Sequence, residues 1–395
     1  VDATDDRPGE GERARIRALE ALGIRPDERH ERFDRLTRLA TALFEVPMAT
    51  ISLLDENRQW FASAQGLEQA SIPRPLSYCD RTVRDGAELV LEDVAADPRY
   101  AGHPALTELG IRFYAGEPLR SAGQVVGTLC LLGEAPRAFT PHQRELLRDI
   151  AAAAEQELHR ADELARAAEV QRTLVPRTPP SAPGWEFAAA YRPARSVGGD
   201  FLDWRRQDPD RLVLTVADVM GKGVPAALLA ASVRTALRTA TRDADPAAAL
   251  HAAAAAVDDD LQRAGALVTA LHARLDTRTG ALEWVDAGHG LQLVLRADGR
   301  TEHRAGAGGL PLGVLPGDSW TPQRLVLEPG DVLLAFSDGL LDLFDGTLAA
   351  LGPIVELARR DGGGAVAAVE RFVALTTGRT LPDDVTVLAA HRLPR

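Results

Sequence analysis

Thr140 offers a hydroxyl N-cap and Pro141 fills the first helical position, and from there to Val175 neither proline nor glycine interrupts the chain. The spacing predicts a single helix of roughly 35 residues, about three times the usual length of ~11–12. A helix that long leaves the domain in which it begins. Pro176, Pro179, Pro180 and Pro183 end it, so the chain is expected to fold as one body before the helix and another after it. Ile150, Ala154, Ala161, Leu164, Ala168 and Val175 fit a heptad seam that Glu157 and Gln171 interrupt. Two readings follow: a parallel coiled coil joining two protomers, or a helix lying on the C-terminal body. The need to couple two bodies mechanically favours the homodimer, joined through this helix and the N-terminal domain.

A chain of 395 residues with 45% hydrophobic content suffices for two cores of ordinary size. The net charge of −12 speaks against nucleic acid and anionic membrane as partners. Two cysteines, Cys79 and Cys130, are too few for a disulfide framework or a thiolate zinc site, which favours a reducing compartment. No apolar run approaches the ~18 residues needed to cross a bilayer, and no signal peptide is visible. A cytoplasmic protein is expected. Residue 1 is valine, which leaves room for upstream sequence.

Residues 1–13 are polar and aperiodic and are expected to form a disordered tail. A short helix follows over 14–23, and Pro26 opens a longer one with Phe33, Leu36, Leu39, Ala40, Leu43 and Phe44 on one buried stripe. Strands are predicted at 48–54, 59–64, 89–92, 112–117 and 124–132, with helical pieces near 77–84 and 104–109. Five strands flanked by helices give an α+β module over 14–157. The segments ISLLDENRQWF (51–61), EDVAADPRY (92–100), IRFYAGEPL (111–119) and VVGTLCLL (125–132) resemble a GAF domain, a bacterial sensory module with an antiparallel sheet and flanking helices. The signature of its cyclic-nucleotide-binding members is not apparent, and no ligand is assigned. Cys79, in Ser77-Tyr78-Cys79-Asp80, reads as a small core residue rather than a chromophore anchor or redox thiol, and Cys130 as core.

After a linker helix over 158–176, the segment 196–223 (SVGGDFLDWRRQDPDRLVLTVADVMGKG) carries the chemistry. Its two strand-like runs, 201–206 and 211–217, pair as a hairpin about Asp208-Pro209-Asp210, so Asp200 and Asp218 meet at the open end. Gly198, Gly199, Gly221 and Gly223 clear space for close approach to the backbone. Downstream, the apolar run 331–336 ends at Ser337-Asp338-Gly339, and Leu381-Pro382-Asp383-Asp384 leads into the strand 385–391. One aspartate beside a glycine is ordinarily a turn residue. Several gathered at strand ends suit hard divalent cations and two-metal chemistry.

The ordered segments VQRTLVP (170–176), SVGGDFLDW (196–204), DVMGKGVPAAL (218–228), LVTALHARLD (267–276), DAGHG (286–290), GLPLGV (309–314), FSDGLLD (336–342) and PDDVTVL (382–388) resemble the bacterial PPM-type metal-dependent serine/threonine phosphatases of the SpoIIE/RsbU kind. The resemblance runs from residue 169 to the C-terminus and implies an αββα sandwich over 177–395. It also implies that Asp200 and Asp218 hold two Mn²⁺ or Mg²⁺ ions with the Val219 carbonyl, and that Asp338 and Asp383 complete one ion's shell. Asp384 is the alternative to Asp383, which is favoured because the family's aspartate precedes a smaller polar residue and then the strand. The implied reaction is attack of a metal-activated water on phosphoserine, without a covalent phospho-enzyme. The implied substrate is a phosphorylated partner, an anti-sigma-factor antagonist. Asp286, Ser337 and Asp342 depart conservatively from the family pattern, where Asn, Thr and Glu are usual. His289 reads as a structural histidine more readily than as a general acid. Lys222 fits a phosphate contact or a solvated lysine, and Arg195 is a candidate phosphate clamp. Two other readings stand beside the enzyme: a pseudophosphatase scaffold, against which all candidate carboxylates are retained, and a small-molecule-binding GAF module with a vestigial output.

Overall fold

The computed structural model describes residues 9–24, 30–103, 105, 109–241, 245–304 and 309–394. The chain divides into two compact units, Val1–Arg166 and Ala167–Arg395.

In the first unit, α1 (Glu10–Ala21) and α2 (Glu31–Phe44) precede β1 (Met48–Leu54), β2 (Arg58–Gln65) and β3 (Ser71–Pro73); α3 (Tyr78–Asp85), β4 (Leu89–Leu91), β5 (Phe113–Ser121) and β6 (Gln124–Gly133) follow. The sheet has six antiparallel strands in the order β3-β2-β1-β6-β5-β4. Every residue of β1 is buried, because both faces of this central strand are covered. Side chains alternate between two cores. Leu129 and Leu131 of β6 join Phe33, Phe44, Ile51 and Phe113, whereas Cys130 joins Tyr78, Cys79 and Tyr114 under α3.

Several expectations change here. The sheet has a sixth strand, β3, whose three residues are too few to show alternation. The helix expected from residue 14 begins at Glu10, so residues 10–13 are not part of a disordered tail. Glu12 pairs with Arg15 at 2.7 Å and with Arg74 at 2.6 Å, which fixes the first turn. Pro26 and residues 106–108 lie outside the described residues. On α2 the buried stripe is Phe33, Thr37, Ala40 and Phe44, while Leu39 and Leu43 are about half exposed. Thr37 replaces them because its hydroxyl bonds Ser63 of β2 at 2.7 Å.

Helix α4 (Pro141–Leu174) forms as the sequence predicts, and Thr140 and Gln143 cap it reciprocally. Ile150 and Ala154, assigned to a dimer seam, are instead packed with Leu147, Ala151 and Leu158 in the first unit's core. The seam loses its first two layers to that sheet, and Leu158, the first residue of the expected linker, also stands in the core.

The second unit stacks two five-stranded antiparallel sheets. β8 (Phe201–Arg206), β9 (Arg211–Val219), β10 (Val268–Asp276), β11 (Ala281–Ala287) and β14 (Gln323–Val326) form one sheet; β7 (Trp185–Arg192), β12 (Gln292–Leu295), β13 (Thr301–His303), β15 (Val332–Phe336) and β16 (Val385–Arg392) form the other. Trp204, Leu214, Val216 and Leu271 meet Phe187, Leu333, Ala335 and Leu388 between them. Helices α5 (Val224–Ala240) and α6 (Pro246–Ala264) cover the outer face of the first sheet. A single turn, α7 (Gly339–Asp342), precedes α8 (Leu351–Arg359) and α9 (Ala365–Thr376), which cover the other sheet. This is the expected αββα sandwich. β7, which the sequence reading passed over, pairs along the whole of β16.

Candidate active site

The β8–β9 hairpin sets the first two carboxylates. Phe201 pairs with Ala217 and Arg206 with Leu212, and Asp208 Oδ1 closes the turn by accepting the Asp210 and Arg211 N–H groups. Asp200 and Asp218 therefore flank the open end. In the other sheet, Phe336 pairs with Val387, which brings Ser337-Asp338 and Asp383-Asp384 to one edge. Thr386 ties the sheets together by donating to Asp200 Oδ2 at 2.6 Å. Its signal in the sequence was a hydroxyl within the otherwise apolar strand Val385-Thr386-Val387, and it was missed.

These carboxyl groups act on one another's charge. Burial pushes the Asp200 carboxyl well above the ordinary carboxylate range, and Asp218 pushes it the same way. Asp218 is raised to about 6, first by burial and then by Asp338, against a lowering hydrogen bond from Asp200. Asp338 is raised by burial and by Asp383. Asp200 is buried, Asp218 and Asp383 are half-buried and Asp338 is exposed, so the cluster opens on one side. Among the described residues no three His, Cys, Asp or Glu side chains close on one point at metal-ligand spacing. What gathers here is mutually repelling negative charge on oxygen donors, and that donor chemistry suits Mg²⁺ or Mn²⁺.

Asp384 does a different job from Asp383. Its Oδ1 accepts the Ala194 N–H at 2.7 Å, and its Oδ2 accepts those of Gly199 at 2.7 Å and Asp200 at 3.3 Å. It thereby fixes the backbone that carries Asp200. Gly198 is required there because a Cβ would overlap the Asp384 carboxylate, and a Cβ on Gly199 would lie 2.6 Å from the Val219 carbonyl oxygen. These two glycines admit the protein's own groups rather than a ligand. Gly221 and Gly223 have open space around them and positive φ instead, 104° and 79°.

Lys222 reaches Asp383 Oδ2 at 2.8 Å and the Pro382 carbonyl at 2.6 Å. Arg195 is exposed, and its charge acts on Lys222. Both side chains are exposed. His289 is buried, its pKa lowered to about 4 by that burial. Asp286 accepts the N–H groups of His289 at 2.7 Å and Gly290 at 3.0 Å, and Gln292 Nε2 at 2.8 Å, so this segment is a clipped loop. Gln171, on the last turn of α4, was read from sequence only as a flaw in a heptad. Its Nε2 donates to the Gly198 carbonyl at 2.7 Å, its Oε1 accepts the Gly198 N–H at 3.1 Å, and Tyr191 donates to the same Oε1 at 3.3 Å.

Comparison with known proteins agrees with this geometry. Residues 208–393 match the family of stage II sporulation protein E (SpoIIE), and residues 28–158 match the GAF domain. The chain joins a GAF domain to a SpoIIE-type domain. The SpoIIE match begins after Asp200, so that residue enters the site through the hairpin register. Phosphoserine phosphatase RsbU of Bacillus subtilis is 27% identical over 181 residues, 46% of this chain and 53% of its own. Cyclic di-GMP phosphodiesterase PA2567 of Pseudomonas aeruginosa is 36% identical over 130 residues, 32% of this chain and 22% of its own. The chain thus spans about half or less of the length of these curated relatives. Among solved structures, the SiaA-PP2C domain of Pseudomonas aeruginosa superposes with a TM-score of 0.51 at 25% identity, covering 60% of this chain and 98% of that one. The second unit of this GAF–SpoIIE chain accordingly has the PP2C fold. Among the described residues no helix is long and apolar enough to cross a membrane.

Proposed function

We propose that this chain is a metal-dependent phosphatase acting on phosphoserine or phosphothreonine of a partner protein, under control of its GAF domain. The observation that carries the reading is the convergence of Asp200, Asp218, Asp338 and Asp383 from two sheets onto one open edge, with Lys222 on Asp383 as the ion pair made there. Asp200, Asp218 and the Val219 carbonyl would hold two Mn²⁺ or Mg²⁺ ions, and Asp338 and Asp383 would complete one shell. Bound there, the ions supply Lewis acidity that makes water a competent nucleophile toward phosphorus at neutral pH.

The chain's own residues do the rest. Thr386 orients Asp200 by donating to its Oδ2. Asp384 locks the Ala194–Asp200 backbone, and Arg195 and Lys222 supply positive charge at the rim for a phosphoryl group. The likeness to RsbU favours as substrate a phosphorylated anti-sigma-factor antagonist. Helix α4 would carry the GAF state to the Asp200 segment through Gln171, and a homodimer would form through what the first core leaves of the helix, with the GAF domain. Mn²⁺ titration of the metal-free chain by calorimetry tests the site: two ions are expected, and fewer in Asp338→Asn and Asp383→Asn. No Mn²⁺ binding by the native chain would overturn the reading.

A further inference from the structure

Cys79 and Cys130 lie 51 positions apart in sequence, and their Sγ atoms are 3.4 Å apart. The fold brings them together deliberately. Cys79 stands in the first turn of α3, after the Ser77 cap, and Cys130 faces it from the middle of β6. Both line a cavity of roughly 400 Å³ in the GAF unit, bounded also by Gln59, Phe61, Ile72 and Tyr78. They differ in setting. Cys130 is wholly buried and holds Thr50 Oγ1 at 2.9 Å, whereas Cys79 keeps 2% of its surface exposed.

We propose that Cys79 and Cys130 form a dithiol site which a small two-electron oxidant of the hydroperoxide class, entering this cavity, converts to a disulfide. The assignment is independent of the phosphatase reading. Burial pushes the Cys79 thiol up, but the Cys130 thiol beside it acts the other way, and the net direction is down. Cys130 is pushed well up by its bond to Cys79 and by burial. Cys79 stands in the N-terminal turn of α3, where the helix dipole favours a thiolate, so it is the nucleophile and Cys130 the resolving thiol. The Cys79 thiolate attacks the outer peroxide oxygen; an S–O bond forms, the O–O bond breaks, and the alcohol or water leaves. Cys130 Sγ then attacks Cys79 Sγ; the S–S bond forms, the S–O bond breaks, and hydroxide leaves as water with the Cys130 proton. Two thiols and one hydroperoxide give one disulfide, one alcohol and one water. The sulfurs need only close to the bonded separation of about 2.05 Å. Free thiols at rest and a disulfide on exposure are what a reducing compartment permits for a sensing pair.

The test uses the full chain under native conditions. After hydrogen peroxide treatment and quenching, unfolding and alkylation should find both thiols lost together, with one intramolecular cross-linked peptide pair two hydrogens lighter. Both thiols still alkylatable, or loss at no more than the rate of the unfolded chain, would overturn the proposal. In Cys130→Ser, oxidation should stop at a Cys79 sulfenic acid captured by dimedone, and in Cys79→Ser, Cys130 should stay reduced. Cys130 oxidising at its native rate without Cys79 would contradict the assigned order. Should either variant fail to fold, phenylarsine oxide on the native chain decides: one equivalent should protect both cysteines from alkylation, and full alkylation would count against a paired site.

Discussion

Gln171 and Gly198 hold each other twice: the side-chain amide of one accepts and donates to the backbone of the other, at 3.1 and 2.7 Å. Gly198 lies two residues before Asp200, so the end of a 34-residue helix is fastened to the segment that presents a central carboxylate. Truncating Gln171 leaves both backbone groups without this partner, at a cost of roughly 1–3 kcal/mol. Gln171→Ala should lower kcat about tenfold with little change in KM, because positioning and not substrate contact is lost. Steady-state kinetics on a phosphoserine peptide checks this; unchanged kcat would remove α4 from the account of regulation.

Asp383 and Asp384 should part company under mutation. Asp384→Ala strips a charged acceptor from three backbone N–H groups, those of Ala194, Gly199 and Asp200, and should destabilise the metal-free chain by roughly 2–4 kcal/mol. Asp383→Ala, whose side chain meets Lys222 at a solvated rim, should change that stability by less than about 1 kcal/mol while weakening Mn²⁺ binding. Chemical denaturation with and without Mn²⁺ separates the two. Equal losses would reverse the assignment of ligand and brace.

Without metal, the carboxylates oppose folding. Asp218 titrates near 6 because burial and Asp338 penalise its charge, so at pH 7.5 its ionised form is a liability. Asp218→Asn should raise the melting temperature of the chelated protein by a few degrees and abolish the further rise that Mn²⁺ gives. A lower melting temperature in chelator would show that Asp218 stabilises the fold unaided.

His272 gives the fold an acid limit. It is fully buried between the hydroxyls of Thr215 at 2.9 Å and Thr241 at 3.2 Å, and burial lowers its pKa from 6.5 to about 4. The unfolded chain takes up this proton below pH 6.5 and the native chain refuses it until about pH 4. Stability from this group is thus complete above pH 6.5 and declines as pH falls toward 4, by roughly 3 kcal/mol. His289, lowered to about 4 as well, acts in the same sense. His272→Gln should flatten the slope of unfolding free energy across pH 4–6.5 by about one proton; an unchanged slope would refute the assignment.

The sequence disclosed what depended on local chemistry. Pro141 and the prolines after Val175 marked the long helix, and Asp208-Pro209-Asp210 marked the hairpin that joins Asp200 to Asp218. What it concealed was set by neighbours distant in the chain. Ile150 and Ala154 fit the spacing of a dimer seam, and only the sheet of the first unit shows that they are core. Asp383 and Asp384 are indistinguishable by spacing; their division of labour comes from the loop that reaches Asp384 from 185 positions away. Leu39 and Leu43 face outward because Thr37 finds Ser63, a partner no periodicity announces.

The central claim is tested most directly by inorganic phosphate release from a phosphoserine peptide, measured for the native chain with Mn²⁺, with chelator, and for Asp218→Asn with Mn²⁺. Release by the native chain that requires Mn²⁺ and falls at least about 100-fold in the variant is the result the account predicts. Release that persists in chelator, or is equal in the native chain and Asp218→Asn, would contradict it.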